Sequence, residues 1–146
     1  MDDKGDHWTS CPVSGRLRLR CVPLEKTWAR VLREAGARVQ ENVFLRDMRV
    51  PGIRSSDGRR IEILATGLPV EQGIPLACDC ILVSPLHADG SPWPRADVVD
   101  GVALARAEDR KADTYPELVF SEECRLSCLA CGVRGRWNET DFKVVK

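Results

Sequence analysis

Arg59–Ser84 reads RRIEILATGLPVEQGIPLACDCILVS. Two apolar runs, Arg60–Ala65 and Leu76–Ser84, flank a segment holding Gly67, Pro69, Gly73 and Pro75. Short runs rich in Ile, Leu and Val, parted by turn residues, predict two strands of an antiparallel pair. Each run carries one carboxylate, Glu62 and Asp79. If Ala65 and Leu76 close the hairpin, those two acids stand opposite each other on one face. Directly opposed residues bring their Cβ atoms to about 4.5–5.5 Å, where like charges repel unless something positive lies between them. A divalent cation is the usual resolution, so the pattern predicts a metal-dependent site. Asp79→Asn is then expected to relieve repulsion in the metal-free protein. The plainer alternative is that each strand turns its carboxylate to water. It suits Asp79 less well, because Leu76–Val83 is otherwise apolar or Cys, as in a strand buried on both faces.

The rest of the chain gives these strands a setting. Its 146 residues suffice for one domain with a real core. Lys+Arg and Asp+Glu both total 22, so net charge favours neither an acidic nor a basic partner. Arg16, Arg18 and Arg20 alternate near the start, and Arg125, Arg134 and Arg136 lie near the end. They read as a split phosphate-binding surface or, more plainly, as a solvated face. No run of about 18 apolar residues predicts a membrane span, and no signal peptide is expected. Seven cysteines, an odd number without a secretory signal, favour reduced thiols inside a cell.

Residues 1–22 read as an extended lead-in. His7 and Cys11 have the spacing of the second half of a zinc knuckle, but a structural zinc site needs four ligands and no Cys pair precedes them. Residues 23–146 read as the folded domain. Over 24–36, Leu24, Trp28, Val31, Leu32 and Ala35 form an apolar stripe, with Pro23 in the first turn and Gly36 at the exit. Glu25, Arg33 and Glu34 fall off that stripe and read as solvated. A strand follows over Arg38–Arg46, then a loop over 47–58 that ends in Asp57-Gly58. Gly101–Ala112 is a second helix, and Lys111 extends the line of Leu104 and Ala107. A lysine there can lie over the sheet with its ammonium at a carboxylate, or simply snorkel at a helix C-terminus. Arg125–Val133 is the last strand, and Asn138 caps a terminal helix that includes Phe142. Cys128 and Cys131 form a lone C-x-x-C, read as buried thiols rather than zinc ligands. Cys78 and Cys80 are expected on opposite faces of their strand, unable to share a metal. The chain has no P-loop, no G-x-G-x-x-G and no material for a Ser/His/Asp triad.

The order helix, strand, strand, strand, helix, strand, with acids on the second and third strands, resembles the α/β core of the restriction-endonuclease-like PD-(D/E)XK superfamily. The segments NVFLRDMRVPGI, RRIEILATGLP, CDCILVSPLHADGSPWPRAD, DGVALARAEDRKADTYPELV and GRWNETDF resemble the endonuclease domain that follows the reverse transcriptase in non-LTR retrotransposon open reading frames of protists. The resemblance implies an αβββαβ core around a mixed sheet of about four strands. It implies metal-dependent hydrolysis of DNA, with Mg²⁺ or Mn²⁺ held by Glu62 and Asp79, a DNA partner and a nuclear location. Glu62 falls at the Asp of the PD motif, with Ile61 for its Pro, and Asp79 falls at the first acid of (D/E)XK. Ile81 stands where the motif has Lys. Lys111 and Tyr115 match the substitute Lys and Tyr that the retrotransposon branch carries on the following helix. The incomplete knuckle implies a fragment of a decayed element, and hence the alternative of an inactive nucleic-acid- or partner-binding module with the same fold.

Overall fold

The computed structural model describes residues 17–87, 89–133 and 135–138. In chain order the elements are α1 (Leu17–Glu34), β1 (Arg38–Phe44), β2 (Arg60–Thr66), β3 (Leu76–Val83), α2 (Val102–Thr114), α3 (Pro116–Val119) and β4 (Arg125–Gly132). The strands form one open mixed sheet in the order β1-β2-β3-β4. The first two pairings are antiparallel and β3–β4 is parallel. A parallel neighbour needs a long crossover, which the segment containing α2 and α3 supplies. His7, Cys11, Arg16, Arg134 and the terminal helix with Phe142 lie outside the described residues.

Alternation along β3 divides the core. Leu76, Cys78 and Cys80 join Trp28, Ala29 and Leu32 of α1, with Ile63, Ala65 and Leu129. Ala77 packs with Tyr115 and Leu118, and Val83 with Leu104 and Ala107. The sheet is thus covered by α1 on one face and by α2 and α3 on the other. Cys78 and Cys80 share a face, contrary to the expectation from sequence: side chains two apart on a strand point the same way. Residues that alternate with them, Asp79 among them, point to the α2 face.

The first helix differs from its sequence reading in extent and in rotation. Residues 17–22 are helical rather than extended, and Pro23 lies inside α1. A proline there removes one helical hydrogen bond, and Pro23 is exposed, where water can satisfy the freed carbonyl. Trp28 and Leu32 are buried as expected, Val31 is half-buried, and Ala35 is exposed while Ala29 is buried. Each fully buried Leu such as Leu32 contributes roughly 1.5–3 kcal/mol of burial free energy. Trp28 also meets Trp137 edge to face, with ring centroids 5.4 Å apart.

Gly36 ends α1 as expected. Its φ is +95°, its N–H donates to the Arg33 carbonyl, and the Ala37 N–H donates to the Leu32 carbonyl. These are the two bonds of a Schellman cap. A Cβ at Gly36 would meet nothing within 4 Å, so the penalty for a side chain there is backbone conformation alone. Gly36→Ala should lower unfolding free energy by about 1–2 kcal/mol, read from the midpoint of a urea titration followed by tryptophan fluorescence.

β1 is shorter than its sequence reading: it ends at Phe44, and Leu45–Asp47 form a 3-10 turn. Asn42 is left-handed, with φ 55°. Beyond it, Val43 and its partner Ile61 pack in the second cluster, whereas Val39, Ile63 and Ala65 pack in the first. The face of β2 therefore changes around Glu62, the residue opposite Asn42 in this register. No described helix is long and apolar enough to cross a membrane.

Candidate active site

The central hairpin closes in the predicted register. Ala65 pairs with Leu76, Leu64 with Ala77 and Ile63 with Cys78. The paired register stops one step short of Glu62 and Asp79, which are still close enough for the Asp79 charge to act on Glu62. The backbone ladder between β2 and β3 stops at Ile63, although both strands continue. The Cys80 N–H, which in a continued ladder would face Ile61, instead donates to Glu62 Oε2. The two strands part at this point, and the Glu62 carboxylate takes a bond that the ladder gives up.

Asp79 is 2% exposed and points to the α2 face. Lys111 reaches it from the last turn of α2. Its Nζ donates to Oδ2 at 2.8 Å and lies 2.7 Å from Oδ1, so the ammonium straddles the carboxylate. Leu104 and Ala107 are buried above it on the same helical line. That is the placement the i, i+4, i+7 spacing allowed, with the ammonium at a carboxylate rather than in solvent.

Tyr115, just past α2, is buried, and its hydroxyl donates to the Arg60 carbonyl at 2.9 Å. Burial first, then the Asp79 carboxylate, hold its phenol above the ordinary value. Arg59 fixes this corner. Its guanidinium binds Asp57 and Glu117 and donates to the Thr114 carbonyl at the end of α2. The residue before β2 is thereby tied to the helix end that carries Lys111 and Tyr115.

Glu62 is the electrostatic outlier. Its carboxyl is raised from an ordinary 4.5 to about 7, chiefly by burial and next by the Asp79 charge. The Cys80 N–H and Lys111 oppose the rise, and Glu25 adds to it. Glu25 thus belongs to this neighbourhood and is half-buried, not solvated. The spacing could have shown this, because Cys21, Glu25, Trp28, Ala29 and Leu32 also fall at i, i+4, i+7, i+8 and i+11. That is the face α1 turns inward.

Four residues singled out by sequence therefore meet: Glu62 and Asp79 on neighbouring strands, Lys111 and Tyr115 at the end of one helix. The Asp79 charge, the Lys111 ammonium and, more weakly, Glu25 all act on Glu62. Two neighbouring acids inside a fold are an environment that a divalent cation can neutralise. Among the described residues no three His, Cys, Asp or Glu side chains are grouped as a metal site. Mg²⁺ commonly takes only one or two carboxylates, with water and substrate phosphate completing its shell, so Glu62 and Asp79 fit such an ion.

Two thiols border these acids: burial first, and Glu62 among the charges, raise Cys21 and Cys80 above the ordinary thiol range. The six cysteines among the described residues form no disulfide. Cys128 and Cys131 are buried in β4, and burial pushes the Cys124 thiol up to about 12. Of the arginines near the termini, Arg136 is paired at the surface with Asp100 at 2.8 Å. Compared with known proteins, the chain matches no family model and no curated protein.

Proposed function

We propose that this chain is a metal-dependent DNA endonuclease domain with the restriction-endonuclease-like fold, of the type carried by non-LTR retrotransposons. The observation that supports it most is the convergence of Glu62, Asp79, Lys111 and Tyr115 where β2 parts from β3. Glu62 and Asp79 would hold Mg²⁺ or Mn²⁺. Such an ion, when bound, supplies an acidified water and stabilises charge on phosphate oxygens. Lys111, on the far side of Asp79 from the strand backbone, orients or deprotonates the attacking water, or neutralises charge developing on the phosphate. Tyr115 holds the Arg60 carbonyl and so braces the start of β2 beneath Glu62. Arginine side chains position the DNA backbone without reading its sequence.

A second reading is a catalytically inactive module of the same fold that binds nucleic acid or a partner. Ile81 at the motif lysine position favours it, as does the engagement of Lys111 with Asp79. Relaxation of supercoiled plasmid separates the two. An endonuclease nicks plasmid weakly with Mn²⁺ or Mg²⁺ and loses nicking with chelator. Asp79→Asn and Lys111→Met, purified in parallel, should each be slower by roughly 10²-fold or more. Nicking that persists unchanged in Asp79→Asn, or none from wild type that still binds DNA, decides for the inactive module.

A further inference from the structure

We infer that Lys111 is a built-in counter-ion that closes the site, and that a divalent cation enters by displacing its ammonium from Asp79. This rests on the metal-site reading above and adds to it an order of events: the metal loads first, and loading frees the lysine for the phosphate.

The geometry carries the argument. Asp79 is 2% exposed, so its oxygens have little access to solvent. Nζ lies within 2.8 Å of both oxygens and fills the space between them. A Mg²⁺ ion demands oxygen ligands at about 2.0–2.1 Å. An ion at that distance from either Asp79 oxygen would confront an ammonium held by the same carboxylate in a part-buried setting, where charges are poorly screened. One of the two cations has to leave. The lysine can do so: its stem is a flexible four-carbon chain, its side chain is 22% exposed, and it springs from the last turn of α2 rather than the middle. Asp79 itself is fixed in the middle of β3, between β2 and β4, and cannot move out to meet an ion.

Glu62 gives the displacement a direction. It lies on β2, across β3 from β4, where the Asp79 charge acts on it, and its carboxylate accepts a hydrogen bond from the Cys80 N–H. An ion that binds both acids gains two carboxylates, whereas the ammonium engages one. The entering ion therefore wins by its second ligand, and its affinity is reduced by whatever the Lys111–Asp79 pair contributes. Removing the lysine charge should tighten metal binding, the reverse of what a lysine that helps bind the ion would do.

The test uses the wild-type protein and its amines. Acetylation of lysines, followed residue by residue by mass spectrometry, is run with and without millimolar Mg²⁺ or Mn²⁺. Exposed Lys26 is the internal control. Lys111 should be protected without metal and become roughly tenfold more reactive with it, while Lys26 stays constant. In parallel, calorimetric titration of Mn²⁺ into Lys111→Met should show binding roughly tenfold tighter than wild type, and Lys111→Arg should stay weak. The labelling arm needs no variant, so failure of Lys111→Met to fold leaves it decisive. A metal that raises Tm while leaving Lys111 labelling unchanged overturns the displacement and leaves the metal site standing. Neither a Tm shift nor a labelling change overturns both.

Discussion

Lys111→Met should lower unfolding free energy by about 3–5 kcal/mol at neutral pH, the usual penalty for leaving one member of a buried pair without its partner. Asp79 bears that penalty, since it is 2% exposed and its carboxylate is engaged by the lysine. Replacing both partners, Asp79→Leu with Lys111→Met, should recover most of the loss, because an apolar pair of similar volume carries no desolvation penalty. Urea unfolding of the four proteins, followed by tryptophan fluorescence at several pH values, completes the cycle. A deficit below about 1 kcal/mol for Lys111→Met would place the pair among exposed ion pairs of little weight.

The same pair reverses one inference from the charge pattern. Two opposed acids predict that Asp79→Asn relieves repulsion. The strand alternation and the helical line of Leu104, Ala107 and Lys111 together show what the acids alone do not: a cation already faces Asp79. Asp79→Asn lowers the repulsion felt by Glu62 but strips Lys111 of its carboxylate. The second effect is the larger, because a neutral amide answers an ammonium with a dipole instead of a charge.

The hairpin was legible because a strand has only two faces and turn residues limit the register. Once Ala65 met Leu76, the positions of Glu62 and Asp79 followed without further information. Lys111 was legible for a similar reason, since residues four and seven apart must share a helical face. The first helix was harder. Two overlapping stripes run along it, one through Leu24 and Ala35 and one through Cys21, Glu25 and Ala29, and an acid on the inward stripe argues against the correct choice. Pro23 misplaced its start, because a proline in the first turn and an exposed proline within a helix leave the same local mark. Cys78 and Cys80, two apart on one strand, share a face by the period of the strand alone. The switch of face in β1 depends on Asn42 adopting a left-handed conformation. Asn is tolerant of that conformation but not committed to it, so nothing local announced it.

Glu62 sets the second large expectation, a loss of stability between acid and neutral pH. Its carboxyl rises from 4.5 to about 7 on folding, and about 1.36 kcal/mol per pKa unit makes this a term on the order of 3 kcal/mol. The folded protein keeps a proton that the unfolded chain has already given up, so this contribution is fully present below 4.5 and is lost as pH rises through about 7. Four other acids act in a different window. Asp57, Asp89, Asp100 and Glu117 are all held below their ordinary values by hydrogen-bonded partners. Their stabilisation is complete above the unfolded carboxylate range and is lost only in stronger acid. Between about pH 5 and 8 they contribute a constant, and the slope belongs to the interior. Glu62→Gln keeps an oxygen for the Cys80 N–H and cannot ionise, so its stability should be flatter across that interval and exceed that of wild type near pH 8. Millimolar Mn²⁺ should close the gap at pH 8 from the wild-type side, because an ion on the carboxylate favours its charged form, and should do less for Glu62→Gln. Parallel curves for the two proteins from pH 5 to 8 would mean that Glu62 is ionised throughout. The tension between Glu62, Asp79 and Glu25 would then be no reason for this site to seek a metal.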